Sequence, residues 1–187
     1  IYGGRKQALE KAKEIEAMNA LVREVYDQKI PFLGICFGSH IMTDALGGVV
    51  EHHSEIKEFG SSKVHLTIEA TTDPLFMGLP QEFFVQQGHK DGTMVLPNGA
   101  VLLASSFLWK NQAFVMNNAP MYGIQFHPEL NEYTTRSRMN AYLEHYLGND
   151  RATYEEIIHS LVPSPESESL LPRFFEKIVL PYTVTCA

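Results

Sequence analysis

Two cysteines among 187 residues are too few for a disulfide framework. No apolar run approaches the ~20 residues that a membrane-spanning helix needs. Positive charge is scarce too: 15 Lys and Arg stand against 22 Asp and Glu, a formal net charge of −7. That balance disfavours nucleic acid and other polyanions as partners, and no basic run with interleaved aromatics is present. Glu51-His52-His53 is a histidine pair without the matched Cys/His spacing of a zinc site, so no metal is expected. No phosphate-binding glycine loop occurs, no cofactor is implied, and no internal repeat is found. What remains is a chain long enough for one domain with a sizeable core. With few cysteines and no secretory signal pattern within these residues, the expected compartment is the reducing cytoplasm.

Against that plain background one segment stands out. In Pro31-Phe32-Leu33-Gly34-Ile35-Cys36-Phe37-Gly38-Ser39-His40, an apolar strand-like run ends at a cysteine held between two glycines, and a helical pattern follows. This is the sequence form of a nucleophile elbow, a strained strand-to-helix turn that lifts one side chain out of a sheet. Gly34 and Gly38 would keep the crowded turn free of side chains. A cysteine at a helix N-terminus is expected to favour its thiolate, the nucleophilic form. A cysteine in an apolar run is also, more plainly, a small buried hydrophobe.

A second segment supplies partners for it. Tyr122-Gly123-Ile124-Gln125-Phe126-His127-Pro128-Glu129 is again strand-like, and Pro128 should stop the strand near His127. His127 and Glu129 would then stand at a strand's carboxyl end, where open α/β sheets bind ligands. A thiol needs a base, and the base needs a group to orient it. Cys36, His127 and Glu129 provide those three roles.

These motifs resemble the class I glutamine amidotransferases, whose cysteine elbow reads Gly-x-Cys-x-Gly-x-Gln and whose histidine segment reads Gln-Phe-His-Pro-Glu. The resemblance runs over about the first three quarters of the chain. It extends to Ile1-Tyr2-Gly3-Gly4, similar to the family's oxyanion loop, and to Asp73-Pro74-Leu75-Phe76-Met77-Gly78-Leu79-Pro80, His89-Lys90-Asp91 and Gln112-Ala113-Phe114. Those segments look most like stand-alone proteins related to the amidotransferase domain of GMP synthase. The resemblance implies that Cys36 attacks a glutamine carboxamide, that His127 moves the proton, and that Glu129 holds the imidazole. It implies oxyanion donors at the Phe37 N–H and the Gly3-Gly4 loop, with His40 and His89 lining the substrate pocket. Two positions depart from the pattern: His40 stands where the family usually has Gln, and Arg5 follows the glycine pair where Pro is frequent. His40 bears on glutamine specificity and leaves the Cys–His chemistry untouched.

Three functions follow as alternatives. The first is glutamine amide hydrolysis that supplies ammonia to a separate synthetase. The second is a γ-glutamyl peptidase or hydrolase with the same thioester. The third is a non-catalytic binding or regulatory subunit. A thiol-sensor or chaperone branch shares the cysteine elbow, but the His-Pro-Glu segment disfavours it.

The implied fold is a flavodoxin-like, doubly wound α/β domain with a mostly parallel sheet over residues 1–147, followed by a helical extension over 148–187 packed on it. Relatives place two strands before the glycine-pair loop, so the expectation is a chain lacking one or two βα units. Helices are expected at Lys6–Gln28, at Gly38–Leu46 closed by Gly47-Gly48, from an Asn131 cap to about Leu147, from an Asp150 cap to about Leu161, and over Ser169–Leu180. Strands are expected at Ile30–Cys36, Lys63–Ile68, Glu82–Gln86, Ala100–Ala104 and Gln112–Met116, and on the approach to His127. His89 is expected in a loop.

Overall fold

A computed structural model describes residues 5–52, 58–142, 147–148 and 150–185. Gly3 and Gly4, His53, Tyr146 and Cys186 lie outside the described residues.

The chain enters with α1 (Arg5–Asp27), followed by β1 (Phe32–Ile35) and α2 (Phe37–Ala45). Ile15, Met18, Val22 and Val25 repeat at helical spacing along α1, and that stripe meets Ile41, Met42 and Ala45 of α2 together with Phe32. Next come β2 (Val49–His52), β3 (Glu58–Leu66), β4 (Glu82–His89), β5 (Asp91–Val95), β6 (Ala100–Ser105), β7 (Ala113–Met116) and β8 (Met121–Ile124). Two helices follow, α3 (Glu132–Ala141) and α4 (Arg151–His159), and a helical run from Pro165 to Thr185 completes the described chain.

Six strands form one sheet in the order β1-β8-β7-β6-β3-β4, and β2 pairs with β5 as a separate ribbon. Only β1 and β8 are parallel; β8–β7, β7–β6, β6–β3 and β3–β4 are antiparallel. The sheet is therefore mixed rather than mostly parallel. Parallel neighbours need a crossover of a dozen or more residues, whereas strands joined by short connections pair antiparallel. Residues 91–124 hold four strands with no α-helix between them, so crossovers were not available there.

The α/β layering holds all the same. Along β8, Met121 joins the apolar cluster under α1 and α2, while Tyr122 and Ile124 face the opposite cluster with Val64, Val85 and Phe126. Leu170 and Ile178 of the C-terminal run belong to that second cluster, so helices cover both faces of the sheet. Each side chain buried in this way contributes about 1.5–3 kcal/mol relative to exposure. Polar bonds also tie the C-terminal part to the sheet: the buried Gln86 amide donates to Val162 O at 2.9 Å and to Ser164 Oγ at 3.1 Å. The Arg173 guanidinium donates to the carbonyls of Leu75 and Met77.

The expected caps form. The Asn131 side chain accepts from the N–H groups of Tyr133 and Thr134, and Asp150 accepts from Thr153. The C-terminal run begins earlier than expected, at Pro165, and passes through a π turn over Phe175–Val179. That turn runs up to Leu180 and Pro181; proline has no N–H to continue the usual i→i−4 ladder.

Candidate active site

The parallel pair β1 and β8 builds the site. Their register sets Ile35 beside Ile124, and the next residue of β1, Cys36, donates its backbone N–H to Ile124 O at 2.7 Å. Cys36 is the first residue past the strand and the N-cap of α2. Its backbone stands at φ 48°, ψ −104°, a region that side chains disfavour. Such strain costs on the order of 1–3 kcal/mol and persists where the surroundings impose it. Here the surroundings are identifiable: a Cβ on Gly34 would stand 2.6 Å from Gly38 O and 2.9 Å from Ser39 N, so strand and helix already touch backbone to backbone. Gly38 is different from the expectation. It sits inside the helix, and a Cβ there meets nothing within 4 Å.

The second motif turns in over the same end of the sheet. β8 ends at Ile124, three residues before the expected stop, and His127 is held instead by its N–H, which donates to Gln86 O of β4 at 2.9 Å. The imidazole is 4% exposed. Its Nδ1 lies 2.6 Å from Glu129 Oε1. The carboxylate accepts, so Nδ1 is the donor in this bond. Nε2 is buried and has no hydrogen-bond partner among the described residues. The open atom beside it is Gly88, whose added Cβ would stand 3.8 Å from Nε2.

Arg138 of α3 closes the outer side, with Nη1 3.3 Å from His127 Nδ1 and 4.0 Å from Glu129 Oε1. A guanidinium only donates, so with Nδ1 protonated it acts as a neighbouring charge. Burial alone would raise the Glu129 carboxyl; the hydrogen bond and charge of His127, with Arg138, outweigh it and hold the group below its ordinary value.

A cleft of about 450 Å³ opens between these parts. Cys36, Phe37 and His40 line it from the elbow and α2, Gly88, His89, Lys90 and Asp91 from the β4–β5 turn, and His52 and Arg138 from the sides. His127 and Glu129 stand behind this wall, linked to the cleft through Gly88 and Arg138.

The thiol departs from expectation. Burial pushes the Cys36 thiol up to about 11, with Arg138 and the Phe37 N–H opposing and Glu129 and Asp91 adding to the rise. Desolvation outweighs the helix start, so the free protein holds a neutral thiol rather than a thiolate. His89 also differs from expectation: it ends β4, is 4% exposed, and bonds Glu58 Oε2 through Nε2 at 3.0 Å and Asp91 O through Nδ1 at 2.9 Å. Burial lowers the His40 imidazole below its usual value, and its Nε2 lies 2.9 Å from Gln125 Oε1. His52 pairs with Asp91 Oδ1 at 2.6 Å within the β2–β5 ribbon.

Sequence reasoning did not single out Gln125 or Arg138; it weighed His52 only as a metal ligand and met Asp91 only within the His89-Lys90-Asp91 segment. Gln125 lies inside a motif already noticed, and strand alternation with His127 was the available signal. Arg138 follows His127 by eleven residues on a polar helix and carries no local mark.

The profile of the family described as glutamine amidotransferase class-I matches residues 6–143. The chain belongs to that family. GMP synthase [glutamine-hydrolyzing] of Staphylococcus saprophyticus is 39% identical over 107 residues, covering 57% of this chain and 20% of that protein. The Staphylococcus epidermidis enzyme of the same name is 40% identical over the same length, with the same coverage. The matched region thus spans a fifth of the length of these curated relatives. Among solved structures, a glutamine amidotransferase from Thermotoga maritima superposes with a TM-score of 0.71 at 27% identity, over 96% of this chain and 74% of its own. A glutamine amidotransferase from Methylobacillus flagellatus shares the fold, with a TM-score of 0.68 at 23% identity over 85% of this chain and 65% of its own. Among the described residues, no helix is long and apolar enough to cross a membrane.

Proposed function

We propose that this protein hydrolyses the side-chain amide of glutamine through a thioester on Cys36 and delivers the ammonia to a separate synthetase. The observation that carries the reading is the placement of His127: Nδ1 faces Glu129, and a buried Nε2 without a partner among the described residues lies behind Gly88, on the wall of the cleft that Cys36 lines.

The chemistry follows from those positions. The Cys36 S–H proton passes to His127 Nε2 as sulfur adds to the carboxamide carbon, since a thiol raised to about 11 does not ionise first. Negative charge gathers on the carboxamide oxygen, and the Phe37 N–H, next to the nucleophile, is the described donor suited to receive it. The Gly3-Gly4 loop is the second donor in this reading. His127 returns the proton to the leaving nitrogen, which departs as ammonia. Water, deprotonated by His127, then cleaves the γ-glutamyl thioester to glutamate and the free thiol. Glu129 keeps the ring in one tautomer and stabilises the imidazolium between the steps.

One observation favours a second reading, a γ-glutamyl hydrolase. Arg138 lines the cleft beside His127, where an amine leaving group with its own carboxylate would find a cation. Ammonia and glutamate release from glutamine, set beside glutamate release from γ-glutamyl dipeptides, separates the two. The first reading expects glutamine to have the higher kcat/KM and Cys36→Ala to abolish turnover. Turnover of dipeptides alone would replace it with the second, and undiminished activity in Cys36→Ala would end both.

A further inference from the structure

Gln125 has a side chain that the steps above leave unused, yet it is 2% exposed and lies against the nucleophile. Its backbone N–H donates to Gln112 O at 2.8 Å, which fixes its place just beyond β8. Its side chain spans two site residues: Oε1 lies 2.9 Å from His40 Nε2, and Nε2 lies 3.9 Å from Cys36 Sγ. The two ends of an amide are not interchangeable, since the carbonyl only accepts and the NH₂ only donates. Burial keeps His40 neutral, so a proton on its Nε2 donates to Oε1 and turns the amide NH₂ toward the sulfur.

We propose that Gln125 is a positioning residue for the nucleophile: pinned by His40, it presents an amide N–H to Cys36 Sγ and stabilises the thiolate as it forms. As the S–H bond breaks, its proton goes to His127 Nε2 and the electron pair stays on sulfur. A hydrogen bond to that charged form lowers the cost of reaching it. The need is evident, because burial opposes the thiolate and, among the described residues, the Phe37 N–H is the backbone donor that favours it. The catalytic meaning of the contact rests on the amide-hydrolase reading; the contact itself does not.

The other titratable and charged groups acting on the sulfur or lining its cleft are Glu129 beyond β8, Arg138 of α3, Asp91 of β5, His89 and Lys90 at the β4–β5 turn, and His52 of β2; His127 stands behind Gly88. Two variants leave all of them in place. Gln125→Met keeps the length and removes the donor, and His40→Ala releases the amide to turn. The readouts are the rate of Cys36 alkylation by iodoacetamide against pH, followed on the Cys36 peptide, and kcat/KM for glutamine. Gln125→Met should move the alkylation midpoint upward and slow the reaction roughly five- to tenfold at a fixed pH below it. His40→Ala should move it the same way by less, and the double variant no further than Gln125→Met alone. A packing role would change melting and leave the midpoint where it was. Unmoved midpoints, or effects of the two variants that multiply, would overturn the proposal. If Gln125→Met does not fold, His40→Ala on the cleft wall decides alone, an unmoved midpoint again overturning it. A shifted midpoint in a protein that turns over no glutamine keeps the contact and sinks the amide-hydrolase reading; an unmoved midpoint with intact turnover does the reverse.

Discussion

Two glycines four residues apart in one motif should respond oppositely to the same substitution. In Gly34→Ala the new Cβ would lie 2.6 Å from Gly38 O, 2.7 Å from Gly38 C and 2.9 Å from Ser39 N. All three are backbone atoms of the first turn of α2, so no side chain can rotate aside. The helix must move off the strand by several tenths of an ångström, and overpacking of this kind costs about 3 kcal/mol. In Gly38→Ala the Cβ meets nothing within 4 Å and the residue lies in a helix. Alanine there should gain about 0.5–1 kcal/mol over glycine, from lower unfolded-state entropy and better helix propensity. With an m-value of roughly 2 kcal/mol/M, Gly34→Ala should lower the urea midpoint by about 1.5 M and Gly38→Ala should raise it by about 0.3 M. Circular dichroism of the two purified variants beside the parent measures both. Glutamine turnover should fall about a hundredfold in Gly34→Ala, because a shift of α2 carries Cys36 and Phe37 with it. Equal midpoints for the two variants would refute the backbone-contact account of the elbow.

The strained backbone at Cys36 predicts that Cys36→Gly is more stable than Cys36→Ala by about 1 kcal/mol, since glycine accepts φ 48°; thermal melts of the two variants test the order. Alkylation of Cys36 in the free parent should show a midpoint near 11, well above an ordinary thiol, and a midpoint at or below 9 would contradict the desolvated site. Because the folded thiol binds its proton more tightly than the unfolded one, its contribution to stability is lost as pH rises from about 9 through 11, and Cys36→Ala should flatten that decline. Glu129 has the opposite sign: its folded carboxyl titrates below its ordinary value, so its stabilisation is present above the unfolded value and disappears as pH falls through the folded one. The melting difference between parent and Glu129→Gln should therefore shrink on going from neutral pH to below the carboxylate range, and a difference independent of pH would refute the pairing with His127.

The readable parts of this molecule were those written in local pattern. The stripe on α1, the elbow at Cys36, the caps Asn131 and Asp150 and the His127 segment each occupy a few consecutive residues, and each formed near its expected place. Strand direction was not local. Whether β7 runs with or against β8 depends on the connection between them, and the motif alone evoked a parallel sheet. The ribbon β2–β5 escaped because β2 is nearly all exposed and carries Glu51 and His52 where a strand would show apolar alternation. His89 looked like a loop histidine because Glu58, the acceptor that makes its burial tolerable, comes 31 residues earlier. The thiol was misjudged for a related reason. A helix start is visible in sequence, whereas the desolvation that outweighs it is a property of the assembled cleft.

The site has a symmetry of roles that the linear motifs hide. His127 is buried, and two side chains, Glu129 and Arg138, fix its tautomer and the charge around it. Cys36 is strained and desolvated, and two others, Gln125 and His40, occupy the corresponding place beside it. Burial keeps the Cys36 thiol in its neutral form in the free protein. A neutral thiol resists adventitious alkylation and oxidation, because the reactive anion is rare. On the proposed mechanism, a neutral thiol requires that proton transfer accompany attack, which in turn requires that donor and acceptor be held in line before substrate arrives. Backbone contact at Gly34 sets the sulfur, the bond from His127 N–H to Gln86 O sets the ring, and both anchors lie on strands of one sheet. On the proposed mechanism that sheet must be rigid, and substitutions that loosen β1 against β8 should cost turnover before they cost the fold.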